Sequence, residues 1–229
     1  KDGYAGLRWS MNRRMRVGAS IRFRKIWSAP SCDVSDKASV FREMCRKKKS
    51  AEIACYLVSE GWIDPNSNWN HTPILHVACA LGRPHVVKAL LQAGADIDKA
   101  NNDGNTALLL ASGKSHPAIV EALIKAGADV DKADNNGVTA LLWVSQQGHG
   151  AVTELLIQAG ADIDKAANDG TTALMAASQE GHAATVEALI QAGADIDKAN
   201  NSGVTALLAA SADGHNAIVK VLKKAGAKR

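Results

Sequence analysis

The chain has 229 residues and a mass of 24.0 kDa, with 46% hydrophobic but only 4% aromatic residues. That length allows one or two domains around a buried core. Gly at 19 against Pro at 5 excludes a collagen-like or Pro/Gly-rich disordered chain, and no apolar run approaches the ~18 residues of a membrane-spanning helix. The net charge of +4 conceals a division. Residues 1–30 hold eight Lys/Arg against one acid, residues 31–50 six against three, and residues 51–229 thirteen against nineteen. A basic arm joined to a mildly acidic body suggests two jobs. Cys32, Cys45, Cys55 and Cys79 include no Cys-x-x-Cys pair, so a reducing, intracellular compartment is expected and a disulfide framework is not. A start at Lys1 instead of Met is read as a cleaved front or a fragment.

The arm, residues 1–36, interleaves rings with cations: Arg8, Trp9, Arg13, Arg14, Arg16, Arg22, Phe23, Arg24 and Trp27. Three readings are open. It is a disordered leader, such as the tail of an organelle-targeting peptide. Or it contacts RNA, with arginines on phosphates and rings on bases. Or it docks on a protein or an anionic membrane surface. Trp62 and Trp69 extend the aromatic end of the chain and join the expected partner-binding set.

Beyond the arm the sequence repeats. Ala-Gly-Ala-Asp recurs with its glycine at 94, 127, 160 and 193, and a threonine recurs at 106, 139, 172 and 205, both at a step of 33. In residues 101–133, Asp103-Gly104 predicts a tight turn and Thr106 a helix N-cap. Ala107–Ala111 form a short first helix, which breaks near Lys114–Pro117, and Pro117 suits the first turn of a second helix. Ile119, Val120, Leu123 and Ile124 form one apolar stripe, which Gly127 closes.

This pattern resembles the ankyrin repeat, whose signature is its period, a Thr-Pro-Leu-His-x-Ala opening, a Gly-His break and a Gly-Ala-Asp close; the resemblance covers residues 37–229, and four units read Thr-Ala-Leu-Leu or Thr-Ala-Leu-Met at the opening. The resemblance implies an all-α solenoid of about six units joined by hairpin-like loops. Residues 37–67 are a degenerate first unit, with Phe41, Met44 and Cys45, then Ile53, Leu57 and Val58, facing its core. Residues 68–199 hold four internal units, and 200–229 a C-terminal cap unit. The usual histidine is replaced by Leu109, Leu142, Met175 and Leu208, which exchange its hydrogen bond for apolar packing. The unit at 68–100 keeps Pro73 and His76 but carries an extra Ile74, so an irregular join is expected there. The position of Ile124, Ile157 and Ile190 becomes Lys223 in the last unit, as an end that faces water requires.

Candidate chemistry is thin. His116, His149, His182 and His215 share one repeat position, so they report packing and not a metal site. His71, His76 and His85, even with Cys79 nearby, lack ligand spacing. The pairs Asp96/Asp98, Asp129/Asp131, Asp162/Asp164 and Asp195/Asp197 recur equally, which argues for solvated hairpins and not a catalytic dyad. No nucleophile elbow or phosphate loop is present. No catalytic residue, cofactor, metal or small-molecule substrate is expected.

The resemblance implies binding through the hairpin tips and first helices, through Asn102, Asp103, Gly113, Lys114, Asn135, Gln146, Gln147, Asn168, Asp169, Gln179, Glu180, Asn201 and Asp213 among others. That surface is polar and nearly ring-free, so a weak or spacing role is expected of it. Trp143 is expected to pack in the core against Ala176, with a partly exposed contact as the alternative. The function expected is a non-catalytic protein-interaction scaffold, a peripheral subunit of a larger assembly docked through its arm and first repeats. The alternative is an RNA-contacting subunit of a ribonucleoprotein such as an organellar ribosome. The strings Asp-Lys-Ala-Asn-Asn and Ala-Ala-Ser-Gln-Glu-Gly-His are similar to ankyrin arrays of unicellular algae and other protists. That similarity points to an organelle, a chloroplast and a photosystem-type complex among the candidates.

Overall fold

A computed structural model of the chain describes residues 42–46, 51–69 and 71–228. The expectations placed on the arm (Arg8, Trp9, Arg13, Arg14, Arg16, Arg22, Phe23, Arg24 and Trp27), on Phe41 and on the Ile53 side chain lie outside the described residues. Residues 42–46 are helical. Among the described residues eleven further helices follow, the last ten of them in five pairs. They are α1 (Ala51–Ser59), α2 (Ile74–Ala80), α3 (Pro84–Gln92), α4 (Ala107–Gly113), α5 (Pro117–Lys125) and α6 (Ala140–Gln147). After these come α7 (Gly150–Gln158), α8 (Ala173–Gln179), α9 (Ala183–Gln191), α10 (Ala206–Ala212) and α11 (Asn216–Lys224). The architecture is the all-α solenoid that the resemblance implies. Among the described residues no helix is long and apolar enough to cross a membrane.

Each first helix opens in the same way. The hydroxyls of Thr106, Thr139, Thr172 and Thr205 accept the N–H three residues on, at 3.2–3.4 Å. This satisfies one of the donors that a helix start leaves without an intrahelical partner. First helices are only seven or eight residues long. Alone they would not persist, so they hold by packing. Each first helix packs on the first helix of the next unit, and each second helix on the next second helix. The core runs unbroken from Met44 and Cys45 to Leu222. Ile119, Val120 and Leu123 are buried as their spacing predicts, and Ile124 packs partly buried beside them.

The extra residue expected at Ile74 is not found: Pro73 and the helix Ile74–Ala80 stand one period of 33 before Thr106 and Ala107–Gly113, and the unit departs only in the residues it places there. Asn68–Trp69 (β1) and Thr72–Pro73 (β2) pair antiparallel, and His71 adopts φ 62 at the position that Gly104 and Gly137 fill in later units. Pro73 stands at the N-cap with no side-chain bond, so α2 lacks the threonine cap.

The last unit departs from the expectation in one respect. Lys223, Lys224 and Lys228 face solvent. Leu208, however, is 49% exposed, whereas Leu109, Leu142 and Met175 at the same position are 0–5% exposed. Apolar packing at this position comes from the following unit, and no described unit follows Leu208.

Candidate functional site

Positions i, i+3 and i+4 of a helix share one face. On the first helices this face comprises Leu110, Gly113 and Lys114, then Trp143, Gln146 and Gln147. It continues through Ala176, Gln179 and Glu180 to Ala209, Ala212 and Asp213. The opposite faces are buried, and so are Ala176 and Ala209; the other side chains of this row are at least partly open to solvent. Trp143 is half-buried, and its indole lies on Gly113 of the preceding unit, where an added Cβ would come within 3.1 Å of Cε2. The partly exposed alternative for Trp143 is therefore the one realised. The sequence hides this, because periodicity alone does not say that the neighbouring glycine leaves a seat for the ring.

The hairpin tips beside this face form a hydrogen-bonded ladder. Asn135 donates its N–H to the Asp103 carbonyl at 3.1 Å and its Nδ2 to the Asn102 carbonyl at 2.9 Å. Asn168 repeats this on Asn136 and Asn135, and Asn201 on Asp169 and Asn168. The amides of Asn135, Asn168 and Asn201, expected to face a partner, are thus spent on the preceding unit. Asn102, Asp103, Asn136, Asp169 and Ser202 stay exposed.

The aspartate pairs also differ from the expected solvated hairpins. The first member of each pair closes its own turn by accepting the N–H two residues on, as Asp162 does from Asp164 at 3.0 Å. The second accepts the first aspartate's N–H in the next unit, as Asp98 does from Asp129, Asp131 from Asp162 and Asp164 from Asp195, at 2.9–3.1 Å. Lys132 and Lys198 reinforce two of these joints by donating to the Asp98 and Asp164 carbonyls. Asn66 plays the aspartate's part for Asp96 and Lys99. The carboxylates are unit-to-unit staples. The 31-residue gap from one pair to the next was the available signal.

The repeated histidines reach backward likewise. Nε2 of His182 lies 3.0 Å from the Gln146 carbonyl, and that of His215 lies 2.8 Å from the Gln179 carbonyl. Arg83 stands at this position in the unit at 68–100, donating to the carbonyls of Cys45 and Arg46. His76 is buried, with Nε2 2.8 Å from the Lys99 carbonyl, and burial holds its pKa down to about 4. His71 and His85 are exposed. Burial, with Cys55 adding to it and Arg83 opposing, pushes the Cys45 thiol up to about 12, and burial raises Cys79 as well. Neither is poised as a thiolate nucleophile.

Of the two described tryptophans expected to touch a partner, Trp62 is 52% exposed. Trp69 is partly buried under the Arg42 guanidinium, which stands 4.2 Å from the ring centroid.

The sequence pattern of the family described as ankyrin repeats (3 copies) matches residues 75–167 and 159–228. A stretch of 60 residues is 40% identical to part of the transcription factor MBP1 of Kluyveromyces lactis. It covers 26% of this chain and 7% of that protein, so the chain spans a small fraction of that relative.

Proposed function

The chain belongs to the ankyrin-repeat family, and we propose that it works as a non-catalytic scaffold that holds partner proteins on its first-helix face. Family membership supports protein–protein interaction in general. The observation that favours this face is Trp143, seated on Gly113 and still partly open to solvent. Binding energy concentrates in such rigid aromatic anchors. The ladders on either side fix the face before a partner arrives, which lowers the ordering cost of association. Burial of a polar body under the ring is not required: Gln146, Gln147, Gln179 and Glu180 are exposed and supply a rim.

The test is a photo-crosslinking side chain placed at Gln147 or at Glu154 of the full chain in its cell of origin. Glu154 is exposed on the outer side of α7. Protein adducts are expected from Gln147 and not from Glu154. Equal yields, or none from Gln147, reject the reading.

We further propose that residues 1–36 tether the array to a larger assembly, on the strength of eight Lys/Arg interleaved with rings over residues 1–30. The organellar setting rests on the repeat dialect and is proposed with it. Salt separates a protein dock from RNA. Six to eight phosphate contacts would lose ~10³-fold or more in affinity between 50 and 200 mM salt, and an aromatic dock far less.

A further inference from the structure

We propose that the first-helix face accepts a basic segment of another protein chain, with an apolar side chain on Trp143 and Lys or Arg residues over Glu180 and Asp213. This rests on the reading of that face as the binding surface.

Lys114, Gln147, Glu180 and Asp213 occupy one repeat position, the end of each first helix, and form a row whose charge runs from positive to negative along the array. All except Gln147 serve as the C-cap residues of their helices. A helix C-terminus carries partial negative charge, so cations are favoured there and anions are not. Lys114 obeys that rule. Glu180 and Asp213 break it twice in succession, and among the described residues neither has an ion-pair partner. Residues that violate a local preference without compensation are found preferentially at functional positions.

The neighbouring tip adds the same sign. Asp169, at the tip of the unit that carries Glu180, is exposed and is held as a carboxylate by the Thr171 N–H and hydroxyl, which lower its pKa. Residues 101–228 contain no arginine, and Lys114 is the one exposed cation on this face. A cationic segment would therefore meet negative potential from this tip and the helix ends together, while Trp143 offers its apolar contact one unit earlier. The charge row also gives the ligand a direction. Its basic part lies toward α8 and α10, and Lys114 disfavours the reverse placement.

The test uses the full chain and a fluorescein-labelled synthetic dodecapeptide with a central Leu-Leu pair followed by four arginines. A second peptide carries four glutamates in their place. Anisotropy should report binding of the arginine peptide only. The double variant Glu180→Lys/Asp213→Lys should weaken it about tenfold, the range that two exposed ion pairs supply. Glu154→Lys/Glu187→Lys makes the same net charge change on exposed residues of the second helices and should change affinity less than about twofold. Far-UV circular dichroism confirms that both variants keep their helices. Equal weakening by the two variants, binding of the glutamate peptide, or no binding by either peptide overturns the proposal. Crosslinked protein at Gln147 with no charge preference would overturn this inference and leave the first-helix face standing as the interaction surface.

Discussion

The carboxylate of Asp164 accepts the backbone N–H of Asp195 at 2.9 Å, across the joint between two repeat units. The Asp164 carbonyl takes Nζ of Lys198 at 2.7 Å in the same joint. A charged acceptor on a backbone donor is among the stronger hydrogen bonds. Asp164→Ala should cost about 1–2 kcal/mol in urea unfolding, and Asp164→Asn, which keeps an acceptor oxygen, clearly less. Equal losses in the two variants would mean that the carboxylate is not a staple.

His76 predicts a pH dependence. Its folded pKa of about 4 lies below the ordinary 6.5, because burial disfavours the cation. The unfolded chain therefore takes up a proton first as pH falls. Stability is full above about 6.5 and is lost progressively toward pH 4, by at most about 3 kcal/mol. His76→Leu borrows the residue found at the equivalent Leu109 and should remove most of that slope. Parallel stability–pH curves for the variant and the parent would refute the assignment.

Gly137 and Gly203 occupy the same turn position with φ 79 and 78. A Cβ at Gly137 would lie 2.8 Å from the Asn168 backbone nitrogen, whereas one at Gly203 meets nothing within 4 Å. Both alanine variants suffer the left-handed backbone cost of about 1–2 kcal/mol. Gly137→Ala should lose at least about 1 kcal/mol more, because backbone must move. Identical melting shifts would contradict the close approach.

Leu142 is 5% exposed and Leu208 49% exposed at equivalent positions. Leu142→Ala should cost about 2–4 kcal/mol and Leu208→Ala under about 1 kcal/mol. Denaturant midpoints compare them directly, and a large loss at Leu208 would show that something covers it.

The step of 33 residues, the threonine caps at 106, 139, 172 and 205 and the apolar stripe of Ile119, Val120 and Leu123 were legible in the sequence, because each is a local preference that identical units repeat. The irregular join expected at 61–74 is not a break in the count: His71 and Pro73 stand one period of 33 before Gly104 and Thr106, and what differs there is the residue at each position. What Asp164, Asn168 and His215 do was not legible. Each looks like a solvated polar residue until its partner, 31 to 36 positions away, is brought alongside. Trp143 and Leu208 teach the same lesson about exposure. Whether an apolar side chain is buried depends on what the adjacent unit presents, a glycine in one case and open solvent in the other, and only the stacking of units decides that.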